Sequence, residues 1–563
     1  MNVLPCQLPV PACQLPVPAG LRLRPDPGLR TLGDGTVLVG GSPLRLLRLR
    51  PRAAALVAGW WQGTPVPARP AAQMLARRLL DTGMAHPDPG TGLGPDEVTG
   101  LGPDEVTVVI PVRDRPAELA RCLAALVGLR VIVVDDGSAD PPTVAAVAAA
   151  AGARCLHRDT SGGPGAARNT GLAAVTTPLV AFVDSDCVPG AQWLASLLRH
   201  FADPAVGAVA PRIVAYEQRF GEQGAHEQGA GGQGAGGQGA GGQGAGGQGW
   251  LARYERVRSP LDMGPAESIV RPGARVPYLP GAALIVRRAA IPGGFAAEMP
   301  VGEDVDLIWR LVAAGWHVRY EPRAAVGHQH RLRLGDWLRR RRDYGTSAAP
   351  LELRHPGSVP ACAMSGWSAL AWLAVAAGHP VTGAAVTGAA TALLARRLSP
   401  FTSEAGNGTG AGNEAGTGAG TGAGTGAGNG TGAGNGAWPL AGQLAGQGTL
   451  AAGRLLGSAM ARTWWPVAVP AAAVIPRLRL PVAAALLVPP VLEWRERRPP
   501  LPLASFVAAR LLDDLAYSVG VWQGCLAART ARPLAPSLWW WSRAGEPGGP
   551  RPGVPGGGAP RPC

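Results

Sequence analysis

Between residues 104 and 335 short, continuous β-branched runs alternate with helix-forming stretches, and this rhythm restricts the fold more than any other feature of the chain. VTVVIPV (106–112), VIVVDDGS (131–138), ARCLHRD (153–159) and LVAFVDSD (179–186) read as strands. AELARCLAALVG (117–128), TVAAVAAAAGA (143–153) and GPGAARNTGLAAV (163–175) read as the helices between them. Runs without polar alternation are buried on both faces, which is the condition of a parallel sheet covered by helices. Ligands of such sheets bind beyond the carboxyl ends of the strands. Asp135-Asp136 and Asp184-Ser185-Asp186 fall at two of those ends.

The rest of the chain divides around this unit. Gly (82) and Pro (56) make up about a quarter of the 563 residues, the upper edge for a globular protein, while 46% of residues are hydrophobic. The glycine is concentrated in local repeats, so neither a collagen-like nor a wholly disordered chain fits. The Gly/Gln-rich repeat at 223–249 and the Gly/Thr/Asn repeat at 404–436 read as flexible inserts. Residues 20–90 read as a small unit, a β-ribbon followed by two helices in a winged-helix-like order. That order resembles the small peptide-binding domains of ribosomal-peptide maturation systems. Residues 336–530 read as a helical, membrane-associated region, and 531–563 as a disordered tail. Within it, VPACAMSGWSALAWLAVAAG (359–378) carries no charge over twenty residues, enough for a transmembrane helix. WWPVAVPAAAVI (464–475) and LPVAAALLVPPVL (480–492) are shorter and broken by Pro, so they either span together, lie at the interface or form a re-entrant pair. No signal peptide is evident, and the expected location is the cell membrane with the catalytic domain on its cytoplasmic side.

All 52 basic residues are Arg, and the net charge is +14. Schiff-base and P-loop lysine chemistry are thereby excluded, and any phosphate clamp has to use Arg, backbone N–H groups or a metal. Dispersed Arg with only 5% aromatic residues argues against a nucleic-acid platform. Asp184 and Asp186, one residue apart after a buried strand, suit one hard divalent cation, Mg²⁺ or Mn²⁺, with coordination positions left for phosphate oxygens. Asp135 and Asp136 are placed to accept from a base imide or a ribose hydroxyl. Gly162–Asn169 is a Gly-rich entry to a helix, and Glu303-Asp304-Val305-Asp306 opens another. Taken singly, the acidic residues there also suit a helix N-terminus.

In order and spacing these segments resemble the family 2 glycosyltransferases of GT-A fold. VTVVIPVRDR (106–115), VVDDGS (133–138), GPGAARNTGL (163–172), FVDSDC (182–187), PGAALIVRR (280–288) and GEDVDLIWRL (302–311) carry the resemblance. It implies a Rossmann-like α/β fold with a mostly parallel sheet over 104–335. It also implies that Pro111, Asp135, Asp136, Arg168 and Asp184 hold a UDP-sugar donor, with Asp136 and Asp135 at the uracil or ribose and Arg168 by the uracil. Asp184 and Asp186, with His330 of the GHQHR segment (His328 lies in the same segment), are the implied metal ligands, and Asp304 the implied general base. A carboxylate there deprotonates an acceptor hydroxyl, and a single displacement inverts the anomeric centre.

The whole arrangement further resembles the mycofactocin-system glycosyltransferases of actinobacteria, on residues 21–49, 302–331, RRRRDYGTSAAPL (339–351) and RLLDDLAYSVGVW (510–522). That resemblance implies transfer of glucose in β-1,4 linkage onto a peptide-derived redox cofactor. The implied partners are the mycofactocin precursor or its maturation proteins, and the membrane. A transferase acting on a membrane lipid or cell-envelope glycan, and a non-catalytic scaffold binding a peptide precursor, are the alternatives. The Q-x-x-R-W motif of processive synthases is absent.

Overall fold

The computed structural model describes residues 15–88, 101–216, 249–329, 333–403 and 437–540. Most of both Gly-rich inserts, and His330, lie outside these residues.

The N-terminal unit comprises β1 (Arg22–Pro25), β2 (Arg30–Leu32), β3 (Val37–Gly40), β4 (Arg45–Arg48), α1 (Pro51–Trp61), α2 (Pro70–Thr82) and β5 (Ala85–Asp88). Strands β2, β3 and β4 form an antiparallel meander, and β1 pairs with β5. Both helices begin on Pro, whose missing N–H costs nothing in a first turn. Leu38, Trp60, Leu79 and Leu80 form the core.

The central unit begins with β6 (Val106–Val112), α3 (Pro116–Ala124), β7 (Arg130–Asp136), α4 (Pro141–Ala150), β8 (Arg154–Arg158), α5 (Gly163–Ala173) and β9 (Leu179–Val183). These strands are parallel, in the order β8-β7-β6-β9. It continues with β10 (Cys187–Pro189), α6 (Trp193–Leu198), β11 (Val206–Ala215), α7 (Trp250–Arg258), β12 (Ser268–Ile269), β13 (Ala283–Arg287), α8 (Glu303–Ala313) and β14 (His317–His328). Strand β13 runs antiparallel to both β9 and β11, while β11 and β14 are parallel. Side chains of β6 alternate between two cores: Val108 and Ile110 pack with Leu119 on one face, and Val109 with Phe182 and Phe295 on the other. Burial on both faces explains why these strands carry no polar alternation.

The C-terminal region holds α9 (Leu334–Thr346), α10 (Ala348–Arg354), β15 (Ala363–Ser365), α11 (Gly366–Ala376), α12 (Pro380–Ser403), α13 (Ala437–Ala459), α14 (Trp465–Val474), α15 (Pro476–Arg497), α16 (Leu503–Ala527) and β16 (Ser537–Trp539). Two expectations change here. The charge-free run 359–378 is not one helix. Residues Ala363–Ser365 pair with β16, the Ser365 side chain accepts from Ser368 N to start α11, and Gly378 stops the segment with φ 86°. Among the described residues no helix is long and apolar enough to cross a membrane. Residues 532–539, assigned above to the tail, are ordered, because β16 completes a two-stranded sheet and Trp540 packs over Gly366.

The N-terminal unit docks through buried ion pairs. Both terminal nitrogens of Arg77 donate to Asp203 at 2.7 Å, and Glu267 receives Arg24 and Arg319. Val37 and Val39 of β3 pack against Ala395, Leu398 and Leu440 of α12 and α13, so the small sheet also touches the helical region.

Candidate active site

Parallel strands end on one side of the sheet, and that geometry alone gathers Arg113–Arg115, Asp135–Ser138 and Asp184–Asp186. Antiparallel β13 starts on the same side, so Gly281 and Ala282, which precede it, join them. Gly281 N donates to Asp304 Oδ2 at 2.7 Å, and Asp184 N donates to Ala282 O at 2.9 Å. Two adjacent residues thus tie the backbone of Asp184, first of the D-x-D pair, to the carboxylate at the start of α8. The second oxygen of Asp304 accepts from Val305 N at 2.8 Å.

Arg168 lies between them, with only 3% of its surface exposed. It donates to Asp184 Oδ1 and to Glu303 Oε1, each at 2.7 Å, and its guanidinium lies 5.2 Å from the Phe295 ring centre. Arg168, expected beside a uracil, bridges two acidic motifs and lines the cavity described below. Burial and then the Asp304 charge push the Glu303 carboxyl up, against the pull of Arg168. Asp186 accepts from Arg115 at 2.6 Å, and His328 Nε2 lies 3.6 Å from its other oxygen.

Asp135 and Asp136 are engaged by the protein itself. Asp135 accepts from Ser138 N at 3.1 Å and lies 2.9 Å from His157 Nδ1. Asp136 accepts from Arg158 Nε, Gly162 N, Gly163 N and Ser161 Oγ within 3.0 Å. Burial alone raises its carboxyl, but these four donors outweigh it and hold the group below the usual range. The pair therefore fastens the loops at 137–139 and 161–163. Gly137 (φ 71°) is required there, since a Cβ would stand 2.9 Å from Ser161 N. Pro111 is half-buried in β6 opposite Val134.

A cavity of about 560 Å³ opens over this platform. Arg168, Asp184, Asp186, Asp304 and His328 line it; Pro111, Asp135 and Asp136 do not. Its roof comes from the C-terminal region: Arg340 and Tyr344 of α9, Arg462, and Tyr517 of α16. The roof is built by a backbone-to-backbone crossing of α9 and α16. A Cβ on Gly520 would stand 1.8 Å from Arg342 O, and one on Gly345 2.1 Å from Tyr517 O. Arg340 sits over the Tyr344 ring at 4.8 Å and Arg462 over the Tyr517 ring at 4.1 Å. Burial works against the Arg340 charge, but Tyr344 and the carboxylates of Asp184 and Glu303 more than offset it. Burial likewise pushes the Tyr278 phenol up at the cavity wall.

Sequence reasoning did not select Glu303, Arg115, Arg340, Tyr344, Arg462 or Tyr517. Glu303 stood beside Asp304 in the motif, and Arg340 within the four-arginine run 339–342. Tyr344 and Tyr517 lie within the segments 339–351 and 510–522 that carried the resemblance, but no local motif marks Arg115 or Arg462.

Carboxylates and a histidine suit Mg²⁺ or Mn²⁺. His328 Nε2 stands 3.6 Å from one Asp186 oxygen, and Asp184 lines the same cavity on its bond to Arg168; these donor types, two carboxylates and an imidazole, are ones that suit a divalent ion. Ligand spacing among the described residues occurs elsewhere, at His200 with Glu267 and Glu321. The two carboxylates there are occupied by guanidinium groups, Glu321 by Arg323 at 2.7–2.9 Å and Glu267 by Arg24 and Arg319.

A sheet whose parallel strand ends collect acidic residues facing a carboxylate at the head of a helix is the architecture of the GT-A glycosyltransferases. Residues 107–255 match the profile of Glycosyl transferase family 2. The chain is 38% identical over 529 residues to a Pre-mycofactocin glycosyltransferase of Mycobacterium tuberculosis, covering 92% of this chain and 98% of that one. Glycosyltransferase AglE of Haloferax volcanii is 35% identical over 97 residues, 16% of this chain and 32% of that one. Among solved structures, Mannosyltransferase PcManGT from Pyrobaculum calidifontis, in complex with GDP-Man and Mn²⁺, is 18% identical. That match covers 52% of this chain and 78% of the other, with a TM-score of 0.30. The chain belongs to the pre-mycofactocin glycosyltransferases of family 2.

Proposed function

We propose that the protein transfers glucose from UDP-glucose, with inversion, to a hydroxyl of a pre-mycofactocin-type acceptor, and extends the product as a β-1,4-glucan. The observation that carries this reading is the tie of Asp304 and Asp184 to the adjacent residues Gly281 and Ala282. It supports the reading because Asp304, the proposed proton acceptor, and Asp184, the proposed donor-binding residue, line one cavity. The relative's name supplies the acceptor class.

Asp304 takes the proton of the incoming hydroxyl, which attacks the anomeric carbon from the side opposite the departing diphosphate. Its two backbone donors aim the carboxylate and leave lone pairs facing the cavity. Arg168 keeps Asp184 in place, and Arg340 and Arg462 present positive charge to the leaving diphosphate from the roof, a task for Arg in a chain without Lys. Asp186, His328 and Asp184 would hold Mg²⁺ or Mn²⁺, which supplies charge neutralisation to the diphosphate when bound. The roof excludes water from the anomeric carbon.

A panel of UDP-sugars offered with pre-mycofactocin and Mn²⁺, with products weighed by mass spectrometry, tests the reading. Successive hexose additions from UDP-glucose are expected, reduced about 10²–10⁴-fold in Asp304→Asn. UDP release without hexose on that acceptor, but with a glycosylated lipid, moves the acceptor to the cell envelope. Undiminished transfer by Asp304→Asn removes the base assignment.

A further inference from the structure

Beyond the roof residues Arg462 and Tyr517 lies a second cavity, of about 220 Å³. Arg462, Tyr517, Ala348, Val359 and Pro360 line both cavities, so they form the partition between them. Most of the remaining wall comes from Leu455, Ser458 and Ala459 at the end of α13, from Thr463, from Val521 of α16 and from Pro533.

The two cavities differ in chemistry. Six carboxylates line the larger one: Asp184, Asp186, Glu255, Glu303, Asp304 and Asp513. None lines the smaller, where eight of twelve lining residues are Ala, Val, Leu or Pro, and Ser458 and Thr463 add one hydroxyl each. A nucleotide or a glucan placed there would leave most of its phosphates or hydroxyls without partners, at a desolvation cost. A compact apolar group carries no such cost. Apolar cavities of ~150 Å³ admit benzene, so the volume here suffices for a substituted ring.

The partition is a built feature. Arg462 stacks on the Tyr517 ring at 4.1 Å and pairs with Asp514 at 3.7 Å. It stands with Thr463 on one π-helical turn, Met460–Trp464, inserted between α13 and α14. Pro466 has no N–H for the Arg462 carbonyl four residues earlier, which breaks the α-helical ladder there. Indole donors fix the widened turn: Trp522 Nε1 donates to Thr463 O at 2.7 Å, and Trp464 Nε1 to Leu534 O at 2.8 Å. Turns of this kind recur at functional sites. This one brings Arg462 to the partition and Thr463 to the wall of the smaller cavity.

We infer that the smaller cavity binds the apolar end of the acceptor, a substituted ring or a branched group of that size, while the hydroxyl to be glycosylated reaches Asp304 across the Arg462–Tyr517 partition. The inference rests on the transferase reading above and adds where the part of the acceptor that carries no sugar sits. Donor and glucan keep to the acidic cavity, so the central sheet selects the donor and the C-terminal helices select the acceptor.

Leu455 is 45% exposed, so a larger side chain there can fill the cavity without disturbing a core. The full chain, its Leu455→Trp variant and a Leu450→Trp control are compared; Leu450 is 66% exposed on the same helix and lines neither cavity. By saturation-transfer NMR, p-cresol, a ring with one polar group, should bind the unmodified chain and Leu450→Trp but not Leu455→Trp. With pre-mycofactocin and UDP-glucose, Leu455→Trp should raise the acceptor KM at least tenfold. The KM for UDP-glucose and the hydrolysis of UDP-glucose without acceptor should not change. Circular dichroism confirms that the variants fold. Binding of p-cresol by Leu455→Trp as by the unmodified chain, or by neither, overturns the inference, as does an unchanged acceptor KM. A chain that holds p-cresol in this cavity but neither binds nor glycosylates pre-mycofactocin overturns instead the acceptor reading on which the inference rests.

Discussion

Gly520→Ala is the perturbation that bears most directly on how the roof of the site is held. The added Cβ would stand 1.8 Å from Arg342 O, whereas ordinary contact begins at 3.4 Å. Helices α9 and α16 must therefore separate locally by about 1.6 Å, since the atom met is a backbone oxygen and cannot rotate away. Overpacking of this kind costs about 2–3 kcal/mol, partly offset by about 0.5–1 kcal/mol from the better helix propensity of Ala. The expected net is a fall of several degrees in melting temperature. Tyr344 and Tyr517 lie on the separating surfaces, so transfer to acceptor should fall about 10²-fold, as for a roughly 1 Å misplacement. Hydrolysis of the donor by water should rise relative to transfer. Gly446→Ala, on α13 with nothing within 4 Å of the added carbon, serves as the control and should stabilise slightly. Differential scanning fluorimetry with paired transfer and UDP-release assays reads all three quantities. A Gly520→Ala protein with unchanged melting and an unchanged ratio of transfer to hydrolysis would refute the view that this crossing sets the roof.

Three other outcomes follow from the same geometry. Arg115 competes for Asp186, so Arg115→Gln should tighten Mn²⁺ binding about fivefold, given ~1 kcal/mol for a half-exposed pair, while Asp186→Asn should weaken it; calorimetric titration of Mn²⁺ decides both. Arg340→Ala should weaken UDP about tenfold and leave uridine unchanged, because the guanidinium lines the cavity roof at the proposed position of the diphosphate; equal losses for both ligands in calorimetry would remove that role. Asp306 is fully buried, and although burial raises its carboxyl, His355, Arg354 and Arg310 hold it well below the usual range. Its folded value is the depressed one, so its contribution is present above the ordinary carboxylate value and is lost as pH falls below about 4. Asp306→Asn should then cost about 2 kcal/mol at neutral pH, allowing for half-exposed Arg partners, and should flatten the acid limb of the melting profile.

The legible part of the site was local. Asp184 and Asp186 follow an apolar strand, and Asp304 opens a helix after Gly302, so three carboxylates announced themselves by position alone. The partnership of Arg168 with Glu303 did not, because 135 residues separate them. His328 meets Asp186 because β14 runs through it and delivers that side chain to the strand end, while His330 lies outside the described residues. The charge-free run at 359–378 misled because hydropathy reports the absence of charge, not the presence of a continuous helix. Pairing of β15 with β16 and the stop at Gly378 broke it.

By itself the chain determined its parallel strands, the acidic residues at their ends and the α/β layering, because burial on both faces leaves a signature within each segment. Only the tertiary structure decided that the C-terminal helices roof the catalytic cavity. That depends on Gly345 meeting α16 and Gly520 meeting α9, a contact across 175 residues of chain whose energy arises only when the two backbones touch.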